Sequence, residues 1–183
     1  LLDRLPGTML VLGGGFIACE MAGILQGLGV SVTQMYRGTQ ILRGFDGDLQ
    51  GHVAAALMQQ GVTLEVNTDL AALERLPDGR FRASDTQGRT REFDTVLFAT
   101  GRRPNTDGLG LAEAGVIMGD GGEVVVDDYS QTNIPSIFAV GDVTDRIQLT
   151  PVAIREGHAF ADTVFGGTPI KADHTMVASA VFT

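Results

Sequence analysis

The stretch VLGGGFIACEMAGIL, running from Val11 to Leu25, decides how the rest of the chain is read. Three consecutive glycines follow an apolar run and precede a segment with helical spacing. TMLVL (8–12) reads as a short buried strand. Residues 16–28 read as a helix, because Ile17, Met21, Ile24, Leu25 and Leu28 fall three or four positions apart. Gly29 is placed to end that helix in a left-handed conformation.

Strand, tight glycine turn and helix form the setting that gives the pattern G-x-G-x-x-G/A a physical meaning. Gly13, Gly15 and Ala18 fill it, with Gly14, Phe16 and Ile17 between them. Gly13 allows the sharp turn. Gly15 lets a pyrophosphate approach the backbone, where a β-carbon would collide. Ala18 is small enough for the helix to lie on the strand. First-turn N–H groups and the helix dipole then face the phosphates. The competing reading is a glycine turn that merely packs. The flanking strand and helix favour dinucleotide binding.

The second strand, VSVTQM (30–35), decides which dinucleotide. An NAD site usually places an acid ~20 residues beyond the glycines, where it accepts from the ribose hydroxyls. No Asp or Glu occurs between Glu20 and Asp46. The strand runs instead into MYRGTQILRGFD, which carries Arg37 and Arg43. A ribose 2′-phosphate needs cationic donors, and a guanidinium offers a bidentate fork. A missing acid beside two arginines points to NADP(H); two solvated surface arginines are the plainer alternative.

Outward from this core, DGDLQGHVAAALMQQG reads as a helix with Asp46 or Asp48 near its N-cap and Gly61 after its end. VTLEV reads as a third strand. Alternating strands and helices predict a parallel sheet with right-handed crossovers. The rhythm then changes. GRFRASDTQGRTREF reads as a hairpin or β-meander, DTVLFATG as a buried strand, and GVIMGDGGEVVVDD as a hairpin turned at Asp120-Gly121-Gly122. SIFAVGD reads as a further buried strand. PVAIREGHAFADTVFGG reads as a helix with Pro151 in its first turn and Gly166-Gly167 after its end. The fold class expected is therefore α/β: a Rossmann-like parallel sheet with a β-meander crossover, plus a partial second segment.

Composition narrows the function. The 183 residues are 44% hydrophobic and 19% charged, enough for one or two domains with a real core. Thirteen basic against 22 acidic residues leave a net charge of −9, and Lys171 is the one lysine. A polyanion-binding surface is disfavoured, so neither nucleic acid nor a membrane surface is an expected partner. No apolar run approaches the ~20 residues of a membrane span, and Leu1 to Pro6 do not read as a signal peptide. One cysteine, Cys19, excludes an intrachain disulfide and suits a reducing compartment, so a cytoplasmic location is expected. Cys19 lies inside the loop helix, where a small buried residue is its plain role. His52, His158 and His174 have no ligand spacing, and no metal is expected. His52 and His158 belong on helix surfaces and His174 in a linker. A start without Met and an end at VASAVFT suggest a piece of a longer chain.

The motifs together resemble the flavin-dependent pyridine nucleotide–disulfide oxidoreductases. GGGFIACEMAGIL resembles that family's nicotinamide-nucleotide fingerprint. YRGTQILRGFD resembles the 2′-phosphate segment of its NADPH-using glutathione and trypanothione reductases. ATGRRPNT resembles the motif that closes the NADPH domain. IFAVGDVTDRIQLTPVAIREG resembles the second flavin-contacting motif, and DHTMVASAVFT the start of the dimer-interface domain.

The resemblance implies roles residue by residue. Gly13, Gly14, Gly15, Phe16, Ile17 and Ala18 would form the pyrophosphate loop, with Phe16 in the place of an aromatic lid that is usually tyrosine. Arg37 and Arg43 would hold the 2′-phosphate. Glu20, the one catalytic-site neighbour in this chain, would sit near nicotinamide and flavin. Gly101 and Arg102 would line the cofactor cleft. Asp142 would accept from the flavin's ribityl chain, with Leu149 and Thr150 near its ring. A turn or N-cap aspartate is the ordinary alternative for Asp142.

The division implied is 6–127 for NADPH, 128–175 for part of the FAD domain and 176–183 for the start of the interface domain. Cofactors implied are NADPH and, in the parent enzyme, FAD. The substrate implied is oxidised glutathione, and the parent is expected to be a homodimer. Cys19 matches no redox position, so the chain alone is expected to be inactive. Trypanothione is the alternative disulfide. The arginine pair speaks against the family's NAD-using dihydrolipoamide dehydrogenases. A non-catalytic NADPH-binding module is the alternative from another class.

Overall fold

The computed structural model describes residues 2–183, which fall into two compact units: residues up to Gly101 joined by Ala180–Thr183, and Arg102–Ser179.

The first unit begins with β1 (Thr8–Leu12), α1 (Phe16–Gly27), β2 (Ser31–Met35), α2 (Gly47–Gln59) and β3 (Thr63–Glu65). A meander follows, β4 (Leu70–Arg75), β5 (Phe81–Asp85) and β6 (Thr90–Phe93), and then β7 (Thr95–Phe98). Four strands form a parallel sheet in the order β3-β2-β1-β7. The meander is a separate antiparallel sheet, β4-β5-β6. The parallel neighbours that the dinucleotide reading required, β1 and β2, are paired from Thr8↔Ser31 to Leu12↔Met35.

Met9 to Leu12 are an unbroken apolar run because both faces of β1 are covered. Met9 and Val11 pack with Ala18, Cys19, Ala22, Leu25, Val53 and Leu57 on the helix side. Leu10 and Leu12 pack with Met35, Ala83 and Phe93, the last two from the meander. Each fully buried aliphatic of this kind stabilises by roughly 1.5–3 kcal/mol. The start of the sheet is tied by Asp94, whose Oδ2 accepts the N–H groups of Gly7 at 2.8 Å and Thr8 at 2.9 Å. Thr8 Oγ1 in turn accepts the Asp94 N–H at 3.0 Å.

Helix ends follow the sequence reading. Gly29 (φ +89°) and Gly61 (φ +102°) adopt left-handed conformations beyond α1 and α2. Asp46 caps α2, accepting from Asp48 and Leu49. The buried face of α1 is the one on which Ala18 and Cys19 were read, and only part of the apolar periodicity shares it. Ala18, Cys19, Ala22 and Leu25 face the core, while Ile24 and Leu28 are more than half exposed. Small residues let α1 lie close to the sheet, and this close approach overrides the bulkier apolar periodicity. DTVLFATG also departs from expectation. It yields β7 as an edge strand, paired on its β1 side, with Phe98 59% exposed.

The second unit holds a short 3-10 turn (Gly141–Thr144) and α3 (Thr150–Val164), which starts with Pro151 in its first turn as expected. The two other elements read here are reduced. GVIMGDGGEVVVDD retains one bridge, Met118↔Val124. Its turn closes through Gly119 N–H to Glu123 C=O, the Val125 N–H donates to Ile117 C=O at 3.1 Å, and the Val124 N–H, on the other side of the strand, donates to Val143 C=O. SIFAVGD is a half-buried segment with one bridge, Gln131↔Phe138, not a buried strand. An apolar run becomes a strand only where a neighbouring edge offers a continuous ladder.

Candidate functional site

In the parallel sheet the order reverses at β1. Successive crossovers run from β1 to β2 to β3, and the chain then returns to place β7 on the other side of β1. In open α/β sheets, ligands bind in the crevice at the carboxyl ends of the strands at such a switch point. The glycine loop leaves β1 there.

Each glycine of the loop answers to a different constraint. Gly13 (φ +136°) packs so tightly on β7's exit that a β-carbon would overlap the Ala99 carbonyl. Its N–H donates to Met35 C=O at 2.9 Å, and its carbonyl accepts from Gln34 Nε2 at 3.1 Å. A β-carbon on Gly14 would strike the Tyr36 ring. Gly15 is different: a β-carbon there would meet nothing within 4 Å. The space beside Gly15 is open, and Gly15 and Phe16 are exposed. No side chain caps α1 and no acid stands in its first turn. Such a helix start is suited to an anion.

The segment after β2 is folded back onto this loop. Ile41 and Leu42 are buried, and Leu42 N–H donates to Gly14 C=O at 2.6 Å. The Tyr36 ring fills the space beside Gly14 and Gly38. Anchoring these apolar residues turns Arg37 and Arg43 to solvent. Neither arginine has a carboxylate within 4.0 Å among the described residues. Arg43 lines a depression of about 240 Å³ with Tyr36, Gly38, Thr39, Gln40 and Gln50; Arg37 stands outside it. The structure thus brings together Gly13, Gly14, Gly15 and Arg43 through one short backbone link. The loop has room for a phosphate, and unpaired guanidiniums stand on the segment beside it.

Glu20 is half-buried on α1, and its Oε1 accepts the Phe182 N–H at 3.0 Å. Ile17 is half-buried and Ala18 fully buried. Gly101 is exposed at φ +145°.

In the second unit, Asp142 Oδ2 pairs with Arg102 at 2.6 Å. Its other carboxylate oxygen makes no hydrogen bond among the described residues. Gly141 (φ +75°) precedes it, set so closely on α3 that a β-carbon would lie 3.0 Å from the Ala153 β-carbon. Leu149 is the N-cap residue of α3, and Thr150 starts the helix, exposed.

Sequence reasoning missed the residue that organises this turn. Glu156 is 1% exposed, and its carboxylate accepts from Gly141 N–H at 2.6 Å, Arg146 at 3.0 Å and His174 Nε2 at 2.7 Å. In sequence it is one polar residue on an amphipathic helix, with partners 15 and 18 positions away, and nothing local marks it. Gln34 was also missed. It is buried on β2, with Nε2 shared between Gly13 C=O and Cys19 Sγ and Oε1 unpartnered among the described residues. Its place two positions beyond Val32, on the apolar face of the alternating stretch VSVTQM, was the available signal. Cys19 is buried as read, and burial pushes its thiol pKa up. His52 and His158 are exposed on helices. No metal-binding cluster occurs among the described residues, and no helix is long and apolar enough to cross a membrane.

Comparison with known proteins decides the family. The family described as pyridine nucleotide-disulphide oxidoreductase matches residues 1–157, well over half of the chain. The chain belongs to this family. Within it, the chain is 50% identical over 177 residues to a glutathione reductase of Burkholderia cepacia, covering 97% of this chain and 39% of the relative. It is 45% identical over 184 residues to a trypanothione reductase of Trypanosoma congolense, covering 99% and 37%. Among known structures, LpdA of Mycobacterium tuberculosis superposes with a TM-score of 0.89 at 32% identity, covering all of this chain and 39% of that one. The HOCl-induced flavoprotein disulfide reductase RclA of Escherichia coli gives 0.87 at 28% identity, covering 93% and 39%. The chain therefore spans about two fifths of the length of the curated relatives it matches. The mixed architecture, parallel sheet plus antiparallel sheet, is the fold of this family.

Proposed function

We propose that this chain is the NADPH-binding part, with one edge of the flavin site, of a flavin-dependent disulfide reductase that acts on oxidised glutathione. The observation that carries the reading is the glycine loop at the switch point, flanked by two unpaired arginines where an NAD site would hold an acid. When bound, NADPH supplies a hydride and FAD relays its electron pair to a disulfide.

Gly13 shapes the turn, Gly15 leaves the approach open, and the N–H groups of Phe16, Ile17 and Ala18 face the pyrophosphate. Arg37 and Arg43 hold the 2′-phosphate. Glu20 would stand beside the nicotinamide, and Phe16 would cover it. Gly101 and Arg102 belong to the cleft. Asp142 fits a ribityl hydroxyl through the oxygen that Arg102 leaves unpaired, with Leu149 and Thr150 near the flavin ring. Residues 6–127 serve NADPH, 128–175 contribute to the FAD domain and 176–183 begin the interface domain. The reading carries a homodimeric parent and a cytoplasmic location. With Cys19 as its one cysteine, buried, this chain supplies no disulfide-exchange pair of its own. Trypanothione is the second reading, favoured by the similarity to the Trypanosoma congolense enzyme.

Adding NADPH to isotope-labelled chain tests the site. Amide resonances of residues 13–18 and 37–43 will shift together and saturate with one nucleotide bound. Perturbation confined to other residues refutes the assignment.

A further inference from the structure

Arg37 stands on a segment that is bracketed from a distance. The Tyr36 N–H donates to Glu65 C=O at 2.8 Å, the Thr68 N–H to Tyr36 C=O at 3.1 Å and the Asn67 N–H to Gly38 C=O at 2.8 Å. These bonds fix the backbone on both sides of Arg37 and leave its side chain exposed. Asn67 meets them in a left-handed conformation, φ +52°. Asparagine enters that conformation more readily than other non-glycine residues, and here its carbonyl is also held from outside the segment.

The support comes from the turn between β5 and β6. Gln87 Nε2 donates to the Asn67 carbonyl at 3.1 Å. Thr86 and Asp69 exchange two bonds: Thr86 N–H to Asp69 C=O at 2.9 Å, and Asp69 N–H to Thr86 Oγ1 at 3.0 Å. The turn is wound around Asp85, whose side chain is 2% exposed and accepts from Gln87 N–H, Arg89 N–H and Arg89 Nε. Arg91 grips Glu65 with both arms of its fork, at 3.0 and 2.6 Å. Glu65 is the residue whose carbonyl receives the Tyr36 N–H. The meander thus reaches the Arg37 segment through Gln87 and Asn67 and through Glu65, which pairs with Arg91 and also with Arg89 at 3.2 Å.

We propose that the β5–β6 turn positions Arg37, so that preference for the 2′-phosphorylated nucleotide depends on Gln87 and on the Glu65–Arg91 pair, which touch no nucleotide. The proposal rests on the reading of Arg37 as a 2′-phosphate contact. A bidentate guanidinium–phosphate contact tolerates little displacement of the backbone that carries the arginine. Loosening the bracket therefore costs the ligand that bears the phosphate and spares the one that lacks it. A turn that only supports the fold would affect both nucleotides alike.

The test is a pair of calorimetric titrations, NADPH and NADH, on this chain and on Gln87→Ala, Arg91→Met and Arg37→Ala, with thermal midpoints alongside. Gln87 is exposed, so Gln87→Ala removes one hydrogen bond and keeps the chain folded. The expected result is a loss of NADPH affinity of about 3- to 10-fold in Gln87→Ala and Arg91→Met, with NADH within about 2-fold of the parent chain. Arg91→Lys, which keeps the charge without the fork, restores part of the preference. If Arg37→Ala abolishes the preference while Gln87→Ala and Arg91→Met leave it intact, the positioning role is overturned and the 2′-phosphate reading stands. Equal weakening of both nucleotides overturns the positioning role as well. If Arg37→Ala leaves the preference unchanged, the underlying reading fails and the proposal with it.

Discussion

Gly13 and Ala99 are packed backbone against backbone: a β-carbon on Gly13 would overlap the Ala99 carbonyl oxygen, whereas one on Gly15 would meet nothing within 4 Å. Two glycines of one motif therefore do different work. Gly13→Ala introduces both an overlap and a side chain at φ +136°, and will destabilise the first unit by roughly 2–4 kcal/mol. Gly15 has φ −79°, which alanine adopts readily, so Gly15→Ala will fold like the parent and lose nucleotide affinity. Denaturant unfolding and calorimetry on the two variants separate these effects. A Gly15→Ala variant that binds as well as the parent removes the phosphate role from Gly15.

The loop, its flanking strand and helix, and the arginine segment were legible because each is local. Gly13 to Ala18 occupy consecutive positions, and Arg37 and Arg43 follow the strand that must lie next to β1. What was not legible depends on distant partners. On α1, Ala18 and Cys19 were legible as small packing residues, but the exposure of Ile24 and Leu28 was not, because it depends on how closely the helix approaches the sheet. SIFAVGD was misread because strand formation needs an adjacent ladder, which a sequence pattern does not contain. Glu156 drew no reading because Arg146, His174 and Gly141 reach it only through the fold.

Removing that carboxylate will be costly. Glu156→Ala leaves the Gly141 N–H without its acceptor and the Arg146 guanidinium without its carboxylate, with only the Thr144 and Ser130 hydroxyls still accepting from it. Arg146 and His174 keep 23% and 24% of their side chains exposed, so water softens the loss. The expected destabilisation of the second unit is roughly 2–4 kcal/mol, below that for breaking a fully buried pair. Glu156→Gln retains one acceptor and will fall between Ala and the parent. Urea unfolding followed by amide exchange at Gly141 reads both, and wild-type exchange there in Glu156→Ala contradicts the account.

Acid will loosen the first unit through its carboxylates. The Thr8 N–H, together with the Gly7 N–H and Thr8 hydroxyl, holds the Asp94 carboxyl below its usual range despite its burial. Burial works to raise Asp85, but the Arg89 N–H, its guanidinium and the Gln87 N–H outweigh it and hold this carboxyl low as well. A carboxyl lowered in the folded state contributes stability that is complete above its unfolded pKa, about 4, and is lost as pH falls through the folded value. Stability should be flat from neutral pH to about pH 5 and decline below about pH 4. Asp94→Asn will lower stability at neutral pH and flatten that acid limb. Unchanged acid dependence in Asp94→Asn and Asp85→Asn would exclude both residues as its source.

Cys19 will behave as a packing residue. It is fully buried, and burial raises its thiol pKa, so thiolate is scarce at neutral pH. A thiol reagent will label it only at the rate at which the unit opens, and unfolding in denaturant will make labelling immediate. Cys19→Ala will keep nucleotide binding. Rapid labelling of the native chain, or reduction of oxidised glutathione by NADPH with this chain alone, would show a redox role that its placement does not support.

The preference between NADPH and NADH tests the central claim most directly. Calorimetric titration of this chain at low ionic strength should give tighter binding of NADPH by about 10- to 150-fold, the worth of one strong hydrogen bond to a charged group. The difference should shrink with added salt and vanish in the Arg37→Ala, Arg43→Ala double variant. Equal affinity of the unaltered chain for the two nucleotides would contradict the account.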